Sequence, residues 1–285
     1  MNYTRVLYEK VAEDVIKISM NRPEKRNAQD FLMLEEIEDA FIQADLDEDV
    51  RVIIFAGSGK DFSAGHDMSG NREKARSPVF EKVLGTKLTG MEKQLKVEDY
   101  IYLKQGLTMR NVSKPSIAMV QGNCIAGGWM TASMCDLIVA SEDARFSDPV
   151  VSFTPAGVEI LVHPYDVGFR KAKELLWTCE AMTAEEAKQM GMVSRVYPRA
   201  KLEEETLALA RKIAMNNPVA VSLIKRSINH AWDEMGQRNA WDYHMLIHQL
   251  SHSSDEAQSW FRKRREDVAK GKAVDAIKSQ VDRFK

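Results

Sequence analysis

Apolar residues recur at two different spacings and divide the chain into strands and helices. Residues 15–20 alternate between apolar and polar side chains, whereas residues 52–55 are continuously apolar, which indicates a strand covered on both faces. Apolar residues at helical spacing between Phe31 and Phe41 predict a helix, and Asp30 stands where its N-cap belongs. Repeated steps from strand to helix predict an α/β fold with a mainly parallel sheet.

A glycine-rich stretch at residues 121–128 lies between a short apolar strand at 116–120 and a run at 129–134 that is typical of a buried helix. Another strand is predicted at 137–140. Free N–H groups at the N-terminus of such a helix point into a crevice, where they can hold an anion or a carbonyl oxygen that becomes one. The structural alternative is a tight turn that only lets the helix pack closely on the sheet.

The pattern changes near Pro198, after which the chain is predicted to be helical. We therefore divide it into an α/β core over residues 1–198 and a C-terminal helical subdomain over residues 199–285. Residues 71–97 are polar and mixed, which suits an active-site loop with short helices.

Composition excludes several classes of function. The chain has 285 residues, 44% of them hydrophobic and 29% charged, with a formal net charge of -2. This balance favours neither a nucleic-acid partner nor a membrane partner, and no apolar run approaches the roughly 18 residues of a membrane span. Three cysteines without CxxC spacing, and an N-terminus without the apolar core of a signal peptide, predict a cytoplasmic protein with reduced thiols.

Four short motifs follow one another along the chain. Residues 21–28 form the turn Asn-Arg-Pro-Glu-Lys-Arg-Asn-Ala, and residues 57–67 form a second glycine-rich loop with a Phe-Ser-Ala-Gly-His-Asp core. The glycine stretch is the third motif, and Ala-Lys-Gln-Met-Gly-Met-Val at 187–193 is the fourth. Together they resemble the crotonase superfamily, the enoyl-CoA hydratase/isomerase family, over about residues 5–268.

The resemblance implies a crotonase-like spiral of ββα units with a C-terminal helical trimerisation region, assembled as a homotrimer or homohexamer. It also implies an acyl-CoA substrate whose thioester enolate is stabilised by two backbone N–H groups, which by matching position belong to His66 and Gly127. Coenzyme A then enters as part of the substrate, and no separate cofactor or metal is predicted. The positions implied to contact it are Lys25, Arg26, Ala64, Asp67 and Met68.

The chain departs from the hydratase pattern at both positions where the family places its catalytic glutamates. The first would lie three residues after Gly127, where the chain has Met130, and the second would follow Pro149, where it has Val150. Neither side chain transfers protons, so the resemblance is to an atypical member. An apolar acyl pocket is predicted to be lined by Trp129, Met130, Val150 and Phe153.

Glu159 is the first candidate for a replacement acid or base, because the resemblance places acidic residues of other members in its neighbourhood. Burial near a thioester is expected to raise the pKa of its carboxyl and suit it to proton transfer. The structural alternative is a glutamate at a helix N-terminus, stabilised by the helix dipole. Asp148 and the side chain of His66 are further catalytic candidates, whereas the carboxylate of Asp67 is also expected to fix its own loop.

His244, His248 and His252 recur every four residues and therefore share one helix face. Two of them have zinc-ligand spacing, but no nearby Cys or Glu is expected to complete a set, which favours packing at a subunit interface. The cluster His-Pro-Tyr-Asp at residues 163–166 is predicted to be a hydrogen-bonded network in the core.

The leading hypothesis is therefore an acyl-CoA-processing enzyme of the enoyl-CoA hydratase type, a lyase whose proton-transfer residues are relocated. An isomerase, or a hydrolase of a CoA thioester or a C–C bond, needs only one carboxylate and stays an alternative. A non-catalytic acyl-CoA-binding subunit is the alternative from another class. A nucleotide-phosphate loop is not predicted, because residues 122–128 contain neither GxGxxG nor a following Lys-Ser/Thr.

Overall fold

The computed structural model of the chain describes residues 2–67, 81–83, 85–152 and 157–269. The strands are β1 (Val6–Ala12), β2 (Val15–Met20), β3 (Val52–Gly57), β4 (Ser116–Val120), β5 (Asn123–Ile125), β6 (Leu137–Ser141), β7 (Arg145–Ser147), β8 (Met182–Thr183) and β9 (Arg195–Tyr197). The helices are α1 (Phe31–Leu46), α2 (Gly90–Glu98), α3 (Gln105–Asn111), α4 (Gly127–Ala132), α5 (His163–Val167), α6 (Phe169–Thr178), α7 (Ala184–Gln189), α8 (Leu202–Ala214), α9 (Pro218–Glu234), α10 (Gln237–His252) and α11 (Asp255–Ala269). A π-helix (Asp99–Lys104) joins α2 to α3, and short 3₁₀ turns occupy Pro23–Lys25, Val150–Ser152 and Arg199–Lys201.

The main sheet has six strands in the order β1-β2-β3-β4-β6-β9. Strands β2, β3, β4, β6 and β9 run parallel to their neighbours, and β1 pairs with β2 in the antiparallel sense at the edge. A second sheet has the order β5-β7-β8. The predicted α/β fold with a mainly parallel sheet is confirmed.

Both faces of the main sheet are covered by helices, which explains why β3 is continuously apolar in sequence. Ile53 and Phe55 pack on one face together with the apolar side of α1. Val52 and Ile54 point to the other face, where they pack with α8. All six residues of β3 are buried, as predicted for a strand between two layers of helices. Each such apolar side chain contributes about 1.5–3 kcal/mol to folding.

Helix α1 begins where the sequence predicts it. The Oδ1 atom of Asp30 accepts a hydrogen bond of 2.9 Å from the N–H of Met33, which satisfies one donor of the first helical turn. The side chains of Leu34, Ile37 and Phe41 on its apolar face are buried in the larger core.

The glycine stretch is not one continuous turn, which the sequence pattern did not reveal. Residues Asn123–Ile125 form β5 of the second sheet, pairing in parallel with β7, before α4 begins. Ala126, between them, has a φ of 50°, so the chain reverses sharply at a residue other than glycine. A three-residue strand leaves no periodicity in the sequence. Strand β1 was also not predicted.

The C-terminal part is helical, as the composition shift predicts. Helix α8 packs directly on the main sheet through Leu202, Leu209 and Ala210, while the division of the chain at residue 198 stays a prediction. Most apolar side chains of α9 are exposed, among them Leu223, Ile224 and Ile228. Within the described residues, no helix has both the length and the apolar composition needed to cross a membrane.

Candidate active site

The first motif and the second glycine loop are joined through one asparagine. Asn27 is buried with a φ of 53°, and its side-chain amide donates hydrogen bonds of 2.9, 2.9 and 3.1 Å to the carbonyl oxygens of Ser58, Asp61 and Phe62. The side-chain amide of Asn27 thus holds the first half of the loop. The loop that carries His66 is therefore fixed by the motif at residues 21–28.

The second glycine loop lies beside the glycine stretch. Ser63 donates its N–H to the carbonyl of Asn123 at 3.1 Å and accepts one from the N–H of Ile125 at 2.9 Å. The carboxylate of Asp61 accepts hydrogen bonds from the backbone and the side chain of Asn123, at 2.9 and 2.7 Å. These bonds bring the two predicted N–H donors, His66 and Gly127, to the same place.

Gly127 lies directly under the imidazole of His66. A Cβ atom at residue 127 would lie 2.5–2.8 Å from three atoms of that ring, closer than side chains can approach. Gly127 begins α4, where the first N–H groups have no partner within the helix. In the described part of the chain, no protein group accepts a hydrogen bond from the backbone N–H of His66 or Gly127.

The side chain of His66 contacts the carboxylate of Glu159. Its Nε2 atom is 2.9 Å from Oε2 of Glu159, and both side chains are only 9% exposed. The other ring nitrogen, Nδ1, is buried and has no hydrogen-bond partner among the described residues. The ring also stacks against Tyr102, whose ring centre lies 4.4 Å away in the π-helix, a helix type found frequently at functional sites.

The electrostatics of Glu159 differ from the sequence expectation. Burial raises the pKa of its carboxyl, but the charges of His66 and His248 and the hydrogen bond from His66 outweigh burial and lower the pKa to about 2. The expected raised pKa is therefore wrong, because two histidines distant in sequence surround the carboxyl. The carboxylate is therefore stabilised in its ionised form, so it has no proton to donate at neutral pH.

Glu159 is also not at a helix N-terminus, because α5 begins only at His163. Instead, α10 holds the loop around it. His248 Nδ1 lies 3.0 Å from the carbonyl oxygen of Gly157, and His244 Nε2 lies 2.9 Å from that of Val158. Trp241, on the same side of α10, donates its indole N–H to the carbonyl of Leu161 at 3.2 Å. Three side chains of one helix face thus fix the loop that carries Glu159.

This arrangement corrects the interpretation of the histidine row. His244 and His248 contact the loop before Glu159 in their own chain and do not face outward to a subunit interface. A glutamate also lies close: Oε2 of Glu98 is 3.3 Å from Nε2 of His248. The statement that no Glu completes the set is wrong, because Glu98 comes from α2, far earlier in the chain.

Asp148, the other carboxylate candidate, has a different partner. Its Oδ2 atom is 3.2 Å from Nε2 of His163, and both side chains are almost fully buried. Its Oδ1 atom accepts the backbone N–H of Val150 at 3.0 Å. The structure therefore places Asp148 in a separate buried pair, and its role as an acid or base stays a prediction.

The predicted hydrogen-bonded core network at residues 163–166 is present at Asp166 but not at His163, whose ring nitrogens have no hydrogen-bond partner among the described residues. The carboxylate of Asp166 accepts hydrogen bonds from the indole N–H of Trp129 at 2.7 Å and from the hydroxyl of Ser133 at 2.6 Å. His163 is fully buried and its ring contacts that of Trp129, with centres 4.7 Å apart. These contacts hold α4 against α5.

The predicted acyl-pocket residues lie at different depths. Trp129 and Met130 are buried members of the larger core, and Val150 is partly buried against it. Phe153 lies outside the described residues. Their contact with an acyl group stays a prediction.

The residues implied to contact coenzyme A surround the first loop. Lys25 and Arg26 are exposed at the end of the first motif, and the backbone N–H of Ala64 donates to the carbonyl of Arg26 at 2.9 Å. Asp67 is buried and accepts a hydrogen bond from Arg22 at 2.9 Å, in agreement with its expected loop-fixing role. Met68 lies outside the described residues.

Sequence reasoning missed Tyr102 and Arg22 as parts of the site. The guanidinium of Arg22 contacts the carboxylates of Asp67 and Asp30 at 2.9 and 3.2 Å, so it connects the His66 loop to the start of α1. The position of Arg22 within the motif at residues 21–28 could have indicated its role. No sequence signal indicated Tyr102, because only the tertiary structure brings it next to His66.

Comparison with known proteins agrees with this geometry. Residues 10–270 match the family model described as enoyl-CoA hydratase/isomerase. EchA13 of Mycobacterium tuberculosis, whose name gives it as a candidate enoyl-CoA hydratase, is 40% identical over 256 residues, which are 87% of this chain and 80% of that protein.

Solved structures are similar as well. A probable enoyl-CoA hydratase from Mycobacterium thermoresistibile is 44% identical, with a TM-score of 0.79 over 90% of this chain and 98% of that one. An enoyl-CoA hydratase/isomerase from Xanthobacter autotrophicus Py2 is 30% identical, with a TM-score of 0.84 over the whole of both chains.

Proposed function

Because the chain belongs to the enoyl-CoA hydratase/isomerase family, we propose that it is an atypical enoyl-CoA hydratase in which His66 and Glu159 make the proton transfers. The carrying observation is the ion pair of these two side chains, 2.9 Å apart and buried beside Gly127. Met130 and Val150 occupy the positions where the family pattern has glutamates, so another acid and base are needed.

The thioester oxygen is held by two backbone donors. We assign these to the N–H groups of His66 and Gly127, which are free of protein acceptors in the described part of the chain. As the enolate forms, negative charge develops on the thioester oxygen, and each such donor lowers the barrier by about 2.7–4 kcal/mol. Close packing of the imidazole on Gly127 brings the proton-transfer group next to this oxygen.

In this pair the His66 imidazolium is the acid and the Glu159 carboxylate is the base. They replace the two glutamates of the hydratase pattern. In hydration, the Glu159 carboxylate takes a proton from water as the water oxygen bonds to Cβ of the enoyl group. The His66 imidazolium gives its Nδ1 proton to Cα, which uses the electron pair of the enolate. The neutral acid then releases its proton to water, and the vacant Nδ1 atom takes one up from water, which restores the pair while Nε2–H keeps the 2.9 Å contact with Glu159.

Hydration of crotonyl-CoA, followed by the loss of enoyl absorbance, tests this assignment. Glu159→Gln keeps the size of the side chain but removes the base, and His66→Gln removes the acid. We expect each variant to lose activity by about 10²–10⁴-fold. Glu185→Gln is the matched control, because the Glu185 side chain is 59% exposed on α7, and it should retain full activity. Unchanged turnover in Glu159→Gln would remove Glu159 from the mechanism.

The same pair also supports an isomerase or a hydrolase as a second candidate. Moving a double bond needs one group that removes and returns a proton, and a single carboxylate–histidine pair provides that. Product analysis with 3-enoyl-CoA and with saturated and β-keto acyl-CoA thioesters separates these reactions from hydration. Tight binding of CoA esters without turnover of any of them would favour a non-catalytic binding subunit.

We further propose a cytoplasmic homotrimer or homohexamer. The three cysteines are free thiols, which suits a reducing compartment. Large apolar side chains are exposed on α9 and α10, among them Leu223, Ile224, Ile228, Leu246 and Leu250. A patch of this kind on one helical layer is typical of a subunit interface. Light scattering after size-exclusion chromatography gives the mass of the assembly, and a monomer would contradict the proposal.

A further inference from the structure

Three potential metal ligands meet between α2 and α10. His248 and His252 lie one turn apart on α10, and their Nε2 atoms are 3.0 Å apart. The Oε2 atom of Glu98, at the end of α2, is 3.3 Å from Nε2 of His248. All three ligand atoms lie within 4.8 Å of one another. His248 is buried, and the other two side chains are partly exposed.

A hydrogen bond can serve only one of the two contacts of His248 Nε2 at a time. The Nδ1 atom of His248 lies 3.0 Å from the carbonyl oxygen of Gly157, so it must carry a proton and donate it. In a neutral ring, Nε2 then has only a lone pair, and it faces a carboxylate oxygen that also offers lone pairs. A second proton on His248 provides one hydrogen bond, which serves either Glu98 or His252 but not both.

We propose that Glu98, His248 and His252 bind a divalent cation of the zinc class through Oε2 and the two Nε2 atoms. One cation accepts all three lone pairs at once. Two imidazoles and one carboxylate are a common ligand set for zinc, and two histidines four residues apart on a helix have the spacing that zinc sites use.

Distances and supporting hydrogen bonds fit this assignment. Zinc bonds of about 2.0–2.1 Å at tetrahedral angles place ligand atoms roughly 3.3–3.4 Å apart, so separations of 3.0 and 3.3 Å require small movements. The Nδ1–H of His248 is held by the carbonyl of Gly157, and Gln249 donates to Oε2 of Glu98 at 2.6 Å. Hydrogen bonds of this kind orient the ligands of metal sites.

The site lies next to the His66–Glu159 pair without depending on its reaction. Oε1 of Glu159 is 4.0 Å from the same Nε2 atom of His248. A bound cation would connect α2 to α10 and fix the helix that holds the Glu159 loop. The proposal stands whether the enzyme hydrates, isomerises or hydrolyses its substrate.

Calorimetric titration with zinc tests the site in the full-length protein after treatment with a chelator. We expect wild type to bind one equivalent, with a higher unfolding temperature in the presence of zinc. His252→Ala and Glu98→Gln should each weaken zinc binding at least tenfold. His230→Ala is the matched control, since the His230 side chain is 72% exposed on α9, and it should bind like wild type.

Cobalt provides a second measurement that does not depend on catalysis. Cobalt bound by three protein ligands should give visible absorption bands that His252→Ala lacks, and equimolar zinc should remove them. Circular dichroism of the metal-free variants shows whether they fold, and Glu98→Asp offers a milder change if Glu98→Gln does not. Absence of stoichiometric binding by wild type, or equal binding by wild type and both ligand variants, would overturn the proposal.

Discussion

The Cα atom of Gly127 packs directly against the imidazole of His66, so residue 127 has no room for a side chain. A Cβ atom there would come within 2.5 Å of the ring Cε1 atom. The ring cannot simply turn away, because Glu159 holds its Nε2 atom and Tyr102 stacks on its face. Gly127 therefore provides the surface on which the imidazole rests, in addition to the N–H that we propose holds the thioester oxygen.

Replacing Gly127 with alanine should reduce activity much more than stability. Alanine favours the helix by about 1 kcal/mol over glycine, which offsets part of the steric cost at the start of α4. The displaced imidazole, however, loses its alignment with the substrate, and a shift of about 1 Å lowers the rate by roughly 10²-fold. Turnover of crotonyl-CoA and urea denaturation measure the two effects separately.

A double-mutant cycle with His66→Ala tests whether the clash is the cause. In the His66→Ala background the ring is absent, so Gly127→Ala should cost little further activity or stability. Equal effects of Gly127→Ala in both backgrounds would mean that the imidazole is not what alanine displaces.

His244 should affect catalysis through the loop that it holds. Its Nε2 atom lies 2.9 Å from the carbonyl of Val158, the residue before Glu159. Because His244→Leu removes this contact, we expect kcat to fall by about 10–100-fold as Glu159 loses its alignment, with KM nearly unchanged. His244→Gln retains a side-chain N–H and should recover part of the lost rate.

The control for this prediction is His230→Leu, which removes an exposed histidine from α9 and should leave both constants unchanged. A structural role without positioning predicts a different result: a lower unfolding free energy, with the kcat of the folded fraction unaltered. A rise in KM at constant kcat would place His244 in substrate binding instead.

Arg22 should be important for stability because it lies between two buried carboxylates. Its side chain is 13% exposed and contacts Asp67 at 2.9 Å and Asp30 at 3.2 Å. Arg22→Met leaves both carboxylates without this cation, and breaking a buried ion pair costs about 3–5 kcal/mol. Arg5 also contacts Asp30, so we expect a loss near the lower end of this range.

Urea denaturation of Arg22→Met against Arg238→Met checks this expectation. Arg238 pairs with Asp242 one turn along α10, but both side chains are at least 40% exposed, so its loss should cost less than about 1 kcal/mol. Equal losses in the two variants would mean that burial does not strengthen the Arg22 contacts. Since Arg22 also holds the loop of His66, its variant should lose activity as well.

The sequence predicts those helices and strands whose pattern of apolar residues is long enough to recognise. Helix α1 has sixteen residues and a side-chain N-cap, and β3 is apolar throughout, so both were predictable. Strand β5 has three residues inside a glycine stretch, which is too short for a period to show. The two proposed backbone donors rest on motifs, because a loop that presents backbone N–H groups needs glycine at particular positions.

The electrostatics of the site could not be predicted in the same way. Glu159 was identified as a candidate, but its ionisation depends on His66, 93 residues earlier, and on His248 in α10. A single carboxylate in an apolar stretch predicts a raised pKa, whereas the fold brings two histidines to Glu159 and lowers that pKa. The contact between Glu98 and His248 could not be predicted for the same reason, because it also depends on the tertiary structure.

The cysteines allow a test of burial that does not involve the active site. Cys124 and Cys135 are buried, and Cys179 is half-buried. Burial raises the pKa of all three thiols, that of Cys135 to about 12. Because only the thiolate reacts with disulfide reagents, a raised pKa and poor access act in the same direction.

We therefore expect one thiol per chain, Cys179, to react in the native protein, slowly at pH 7 and faster as the pH rises toward its raised pKa. Cys124 and Cys135 should react only when the core opens, so that all three thiols are counted after denaturation in urea. Labelling with a chromogenic disulfide, followed by peptide mapping, identifies the site. Rapid native labelling of Cys124 would contradict the packing of β5 between the second glycine loop and β7, because that thiol is fully buried there.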